Sequence, residues 1–185
     1  MNCEYSRGVL RPQDIFITCK IHCLAGQSWS FARLAGSLSI SVGETHNAVA
    51  RAKEAKVLTM AHGQLEVSRR RLLDLLTLGV PQIYYATKGP LCLGVPTSVY
   101  APCHEKRFSV GSVPLVWPHA TGSVRGESLL PLYPTVPRAV QHDPKLYEMM
   151  SLVDVVRTTE PKERKLAVEF LGKMIWENEG EKHGN

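Results

Sequence analysis

One stretch of the sequence, residues 41–58, most strongly limits the fold that the first half of the chain can adopt. Ser41 is followed three residues later by Glu44, a spacing typical of a capping box at a helix start. Residues of one face then recur at helical spacing and are mostly alanine-sized: Ala48, Val49, Ala52 and Ala55. The sequence therefore predicts a capped helix over residues 41–55 that packs closely against its partners.

The opposite face of this predicted helix is polar and carries little bulk. It presents Gly43, His46, Asn47, Ala50, Arg51 and Lys53, and Glu44 lies at the start of the helix. An asparagine side chain is suited to adenine, a glutamate can accept a hydrogen bond from cytosine, and an arginine can hold a phosphate. We therefore expect this face to meet duplex DNA; the alternative is an ordinary amphipathic surface helix.

Helices are predicted on the N-terminal side of this stretch. Pro12 suits the first turn of an apolar helix that closes near Gly26, and Ser30 can cap a second helix over residues 31–38. A tight turn at Ser39-Ile40 leads into the polar-faced helix. Short helices joined in this way are typical of a helix-turn-helix.

A hairpin is predicted directly after the polar-faced helix. Residues 57–60 and 64–67 are β-prone, with a tight turn at Ala61-His62-Gly63. Ser68 then caps a helix from Arg69 to about Leu78, which Gly79 terminates. The hairpin stands where a winged helix carries its wing.

Residues 29–67 resemble the winged helix-turn-helix of MarR-like and related bacterial transcriptional regulators. The matching residues are Trp29-Ser30, Leu34-Ala35, Leu38-Ser39-Ile40-Ser41, Ala48-Val49 and Ala55-Lys56-Val57-Leu58. The resemblance implies a helix in the major groove and a hairpin at residues 58–67 on the backbone or minor groove. Lys56 replaces the glycine that is usual in those families, so we expect the helix exit to differ.

The predicted DNA contacts divide by type. Base edges are assigned to Gly43, Glu44, His46 and Asn47, the wing contact to His62, and phosphates to Ser30, Ser41, Arg51, Arg69, Arg70 and Arg71. The arginine run has alternatives, since it could be a solvated face or pair with acids elsewhere. Residues 1–79 hold 10 Lys and Arg against 6 Asp and Glu, and the remainder holds 12 against 11. The excess positive charge therefore lies in the predicted DNA-binding segment, as phosphate contact requires.

Residues 80–140 are dense in prolines, which break helices and confine strands to edges. We expect loops and short strands, near residues 82–86, 91–93, 98–100 and 113–117, and a hairpin around Thr121-Gly122. The segment also holds polar candidates for lining a pocket: Tyr84, Tyr85, Lys88, Arg107, Trp117, His119, Arg125 and Glu127.

Amphipathic helices are predicted to start at Asp143-Pro144 and Glu160-Pro161, and such terminal helices favour dimerisation. Asp154 and Arg157 are expected to form a surface ion pair. This half loosely resembles antitoxin-like winged-helix regulators, on Arg125-Gly126, Leu130-Pro131-Leu132-Tyr133-Pro134 and Leu152-Val153-Asp154-Val155-Val156-Arg157. The predicted fold is mainly α with small β elements (α+β), divided into a DNA-binding domain at 1–79 and a dimerisation or sensor region at 80–185.

Other classes of protein are disfavoured. We expect no signal peptide or membrane span, and the five scattered cysteines indicate reduced thiols and a cytoplasmic location. Cys19 and Cys23 suit a buried helix face better than a metal site. No nucleophile elbow, phosphate loop or zinc motif is present, and Cys103 and His104 should point apart on an extended chain, so neither an enzyme nor a cofactor is predicted.

The function predicted from the sequence is therefore a homodimeric repressor that binds double-stranded DNA with sequence specificity. The prediction leaves room for a small-molecule effector or a protein partner. The alternatives are an interaction module, such as an antitoxin-like partner-binding protein, and a ligand or metal sensor.

Overall fold

The computed structural model describes residues 8–61 and 64–177, which form a mainly helical α+β fold with small sheets. The N-terminal elements are α1 (Pro12–Cys23), α2 (Phe31–Leu38), α3 (Val42–Glu54), β1 (Leu58–Ala61), β2 (Gln64–Val67) and α4 (Arg69–Asp74). The later elements are α5 (Val80–Ile83), β3 (Lys88–Pro96), β4 (Leu115–Pro118), β5 (Val124–Leu129), α6 (Val136–Ala139), α7 (Pro144–Thr158) and α8 (Pro161–Trp176).

The predicted helix starts around α2 and α3 are confirmed. The Ser30 hydroxyl accepts a hydrogen bond from the Arg33 N–H at 3.3 Å, and the Ser41 hydroxyl accepts one from the Glu44 N–H at 3.1 Å. Between the helices, Ser39 adopts a left-handed conformation with φ 54°. The antiparallel β1–β2 hairpin is also confirmed, while its predicted turn contact, His62, lies outside the described residues.

The prediction that Gly79 ends the helix after the hairpin is wrong. The helix continues from α4 through a π-helical turn, Leu75–Gly79, into α5. Pro81 explains the irregular turn, because a proline lacks the N–H that would bond four residues back and its ring crowds that carbonyl. The freed Thr77 carbonyl instead accepts a hydrogen bond from Arg164 Nη2 at 3.4 Å.

The predicted hairpin around Thr121-Gly122 is also wrong. β3, β4 and β5 close into a small barrel in which β4 and β5 each pair antiparallel with β3 and run parallel to one another. The connection crosses over β3 at Gly94, where a Cβ on Gly122 would lie 2.3 Å from the Gly94 Cα. The crossing requires glycine at position 122, because any side chain there would collide with the backbone of Gly94. It carries the chain from one side of β3 to the other.

Other strand predictions in the proline-rich segment have mixed outcomes. Residues 91–93 lie within β3, and the strand expected at 113–117 is shifted to Leu115–Pro118. The strands expected at 82–86 and 98–100 are absent, since residues 82–83 belong to α5 and Ser98–Tyr100 forms a 3-10 turn. Thus short β-prone runs formed strands only where a pairing partner lay alongside.

The C-terminal helices start where predicted, with the Asp143 side chain accepting from the Leu146 N–H at 3.0 Å. Residues 149–156 of α7 are all buried, and α7 packs against α8 and α1. One hydrophobic core therefore includes helices from both sides of residue 79. Whether the chain folds as separate units at 1–79 and 80–185 remains a prediction.

Asp154 and Arg157 form a buried ion pair, which corrects the expected surface pair. Their side chains are 1% and 2% exposed, with Arg157 Nη1 2.6 Å from Asp154 Oδ1. Asp154 also accepts hydrogen bonds from Trp117 Nε1 at 2.6 Å and Thr97 Oγ1 at 2.8 Å. Arg157 donates to the carbonyls of Tyr84 and Leu130, so this pair ties α7 to the barrel and to the end of α5.

None of the helices in the described part of the chain combines the length and apolar character needed to cross a bilayer.

Candidate functional site

α3 separates a buried face from an exposed face. Thr45, Ala48, Val49 and Ala52 are buried against α1 and α2, which their small volumes permit. The exposed face carries a string of small and polar residues: Gly43, His46, Asn47, Ala50 and Lys53. No heavy atom lies within 4 Å of the position that a Cβ on Gly43 would occupy. A ligand can therefore approach the backbone of α3 closely at this point.

Arg51, which was predicted to hold phosphate, is bonded within the chain. Its Nε and Nη2 atoms donate to the two carboxylate oxygens of Asp14 at 2.8 and 2.7 Å, and Asp14 is fully buried. The hydrogen bonds to Asp14 raise the pKa of Arg51, so its positive charge is secure. The guanidinium thus locks α3 to α1.

Glu44, predicted to meet a base edge, is also held by α1. Its carboxylate accepts a hydrogen bond from Gln13 Nε2 at 2.6 Å. The side chain therefore points toward α1 and not back to the Ser41 N–H that a full capping box would require. Together with the Arg51–Asp14 pair, this contact fixes α3 along its length.

An aromatic stack supports the N-terminal part of the exposed face. The His46 and Phe31 rings lie nearly parallel, with centroids 3.7 Å apart and planes inclined by 16°. Trp29 meets Phe31 edge-on, with centroids 5.6 Å apart. Sequence reasoning missed Phe31, because a single aromatic residue at a helix start gives no periodic signal that pairs it with a residue fifteen positions later.

A groove of about 680 Å³ runs beside the exposed face of α3. Residues 8–12 form one wall, and Asn47, Ala50, Arg51 and Glu54 form the other, with Tyr84 also lining it. The Tyr84 hydroxyl donates to the Leu10 carbonyl at 2.7 Å, which holds the N-terminal segment in place. The structure therefore gives Tyr84, a predicted pocket residue, a position in the same groove as Asn47.

The arginine run lies at the base of the hairpin. The Ser68 N–H donates to the Val57 carbonyl at 2.8 Å, which closes that base just before Arg69. Arg69 Nη1 donates to the Trp176 carbonyl at 3.3 Å, and Arg70 pairs with Asp74 at 3.0 Å. A strand of four residues spans roughly 13 Å, so Arg69, Arg70 and Arg71 lie about that far from the turn of the hairpin.

The polar residues predicted to line one pocket in the second half are dispersed. Lys88 and Glu127 form an ion pair at 3.2 Å and line a cavity of about 250 Å³ together with Tyr100, Thr158 and Glu163. Trp117 is fully buried in the core. Arg107 pairs with Glu148, and Gln141 donates to His119. Tyr85 and Arg125 are exposed.

Cys103 and His104 were predicted to point apart, and the structure corrects this. They lie in a 3-10 turn, where both reach the Ser151 hydroxyl, His104 Nε2 at 2.8 Å and Cys103 Sγ at 3.7 Å. His104 and Ser151 are buried, and burial lowers the pKa of His104 to about 4. Solvent does not reach the histidine and the serine of this cluster. Its residues also line neither of the two cavities described above.

The paired cysteines of α1 are buried core residues. Burial raises the pKa of Cys23 to about 12 and raises that of Cys19 further, so both remain thiols. Within residues 8–61 and 64–177, no group of three His, Cys, Asp or Glu side chains is arranged to hold a metal ion. A thiolate metal site on α1 has no support in this geometry.

No protein-family model, curated protein or solved structure matches the chain.

Proposed function

We propose that the chain binds duplex DNA with sequence specificity and regulates transcription, with α2, α3 and the β1–β2 hairpin acting as a winged helix-turn-helix. The observation that carries the proposal is the exposed face of α3. It offers hydrogen-bonding groups between small residues, while the other face is clamped to α1. A rigid helix of this kind suits the major groove, which is about 12 Å wide.

The geometry favours a division of roles among the exposed residues of α3. Asn47 lies between Gly43 and Ala50 and is the best candidate for a bidentate contact with adenine. Lys53 is exposed about two turns beyond His46 on the same face, so it is well placed for a phosphate contact. The Ser30 and Ser41 hydroxyls, at the starts of their helices, are also well placed for phosphate. In this proposal Arg51 orients α3, and Lys53 takes the phosphate contact in its place.

We also propose that the protein acts as a homodimeric repressor. Because α7 is buried within its own chain, the contact between copies would use other surfaces. Leu91 and Leu93 on β3 and Trp176 at the end of α8 are exposed apolar residues in the described chain. A dimer would place one α3 in each of two half-sites about 34–36 Å apart.

The test is selection of bound duplexes from a random library by the intact chain, followed by affinity measurements at fixed salt. We expect a recurrent sequence, and a palindrome would indicate the dimer. Asn47→Ala should weaken binding to that sequence by about 1–3 kcal/mol and relax the preference at one base pair. Recovery of no recurrent sequence, or an unchanged preference in Asn47→Ala, would contradict the proposal.

A matched pair of variants separates the roles of the cations. Lys53→Met should weaken binding to all sequences alike. It should also reduce the slope of log affinity against log salt concentration by about 1, as loss of one phosphate contact does. The double variant Arg51→Met with Asp14→Asn, which leaves no unpaired buried charge, should keep that slope, because the Arg51 guanidinium is paired with Asp14. The opposite outcome would return the phosphate role to Arg51.

A further inference from the structure

We propose that His46 reads DNA through the face of its ring, as an apolar contact with the C5-methyl group of thymine, and not through a hydrogen bond to a base. This inference rests on the proposed DNA binding and names the base feature that α3 recognises beside the contact of Asn47. The stacked rings of His46 and Phe31 carry it.

The His46 ring is held in one orientation at the surface. Phe31 covers one face at a centroid distance of 3.7 Å, and the edge-on Trp29 supports Phe31 in turn. Trp29 and Phe31 are half-buried and pack against the core, whereas His46 is exposed. Rotating the imidazole out of this plane would break the parallel stack. The ring face that Phe31 leaves uncovered is the surface that we assign to the contact with DNA.

Open space lies where a methyl group would fit. A side chain on a helix leans toward the helix N-terminus and covers the preceding turn. For His46 that turn contains Gly43, where nothing lies within 4 Å of the position of an added Cβ. The surface of α3 is therefore open at Gly43, about one turn before His46, so a methyl group can approach the helix there.

The thymine methyl group is the one apolar group that the major groove presents, and side chains recognise it by contact with carbon atoms. Asn47 follows His46 directly on the exposed face and offers the amide that suits adenine. Adjacent contacts of these kinds would together select A·T pairs. A histidine that read guanine N7 or O6 by hydrogen bonding would instead be indifferent to the methyl group.

The experiment uses the duplex selected by the intact chain and removes one methyl group at a time. Each thymine is replaced by uracil, which keeps base pairing and all hydrogen-bonding groups, and the Kd is measured by fluorescence anisotropy at fixed salt. We expect one substitution to weaken binding about fourfold, as burial of one methyl-sized group implies. The other thymines provide internal controls.

Protein variants then show whether His46 makes the contact. In His46→Ala the fourfold effect of that uracil should disappear, whereas His46→Phe, which retains a stacked ring, should keep it. Asn47→Ala is the matched neighbour, and it should weaken binding while leaving the uracil effect in place. Thermal unfolding of each variant checks that the fold is retained, and Phe31→Leu should reduce the uracil effect with His46 still present.

The outcomes separate this inference from the proposed function. Duplex binding with no thymine sensitive to uracil would overturn the ring-face contact but leave DNA binding standing. The ring-face contact is overturned in the same way if His46→Ala keeps the uracil effect or His46→Phe loses it. If the intact chain binds no duplex at all, the proposed function and this inference both fail.

Discussion

Lys56 follows α3 in a left-handed backbone conformation, which is energetically unfavourable for a lysine. Its φ of 57° lies in the left-handed region, where the Cβ of a non-glycine residue is crowded. Lys56 stands at the position where the resembled families carry glycine, and a different helix exit was expected from the substitution. The structure shows that the lysine instead takes up the left-handed conformation.

Replacing this lysine should stabilise the fold. We expect Lys56→Gly to raise the free energy of unfolding by about 0.5–1 kcal/mol, because the strain is removed although the unfolded chain gains freedom. Urea unfolding of the variant and the parent measures the difference. Lys56→Ala is the matched control, since it removes the charge but keeps the Cβ. A glycine variant no more stable than the alanine variant would show that the conformation carries no strain.

At the scale of elements, α3 owes its position to its contacts with α1. The buried Asp14 carboxylate accepts from the Arg11 N–H at 2.9 Å as well as from Arg51, so it links the start of α1 to the last turn of α3. The helix that meets the proposed DNA is therefore oriented by a residue outside the helix-turn-helix. A change at Asp14 can alter the proposed binding face without contacting the ligand.

Removing Arg51 should destabilise the protein strongly. Arg51→Met leaves a buried carboxylate without its partner, and we expect a loss of about 3 kcal/mol in the free energy of unfolding. The double variant Asp14→Asn with Arg51→Met removes the unpaired charge and should recover part of that loss. Chemical denaturation of the single and double variants tests this. Equal stabilities for Arg51→Met and the parent would mean that the pair contributes nothing.

Features set by neighbouring residues were predictable from the sequence, whereas those set by distant contacts were not. The caps at Ser30, Ser41 and Asp143 follow from one side chain and an N–H a few residues away. The crossing of β3 by the connection at Gly122 depends on Gly94, and nothing in the local pattern indicates that approach. The same limit explains the site, since Asn47 was placed correctly on the exposed face but the partners of Glu44 and Arg51 lie on α1.

At the scale of the whole molecule, polar groups are enclosed in the core that the helices share. His104 is 1% exposed and His22 is 3% exposed. Burial lowers the pKa of both side chains, that of His104 to about 4, so both are neutral in the native state. In the unfolded chain these histidines gain protons as the pH falls below about 6.5.

The fold should therefore lose stability as the pH falls from about 6.5 toward 4. In that window the unfolded state binds more protons than the native state, and stability rises with pH. The difference from His104 alone is on the order of 3 kcal/mol. Urea unfolding between pH 4 and pH 7 measures the slope, which His104→Gln should reduce. His142→Gln, at an exposed position, is the matched control, and a slope unchanged in His104→Gln would refute this origin.

The burial of α1 has a consequence for how the protein is made. Ile15, Phe16 and Ile17 on α1 are fully buried, and α7 forms part of their cover. Ribosomes add roughly 5–20 residues per second, so α1 is synthesised on the order of 10 s before the end of α7 exists. During that interval the apolar surface of the nascent helix is open to chaperones and to other unfinished chains. The surface of α1 is therefore covered only once α7 has been made, and yield in the cell should depend on what shelters α1 until then.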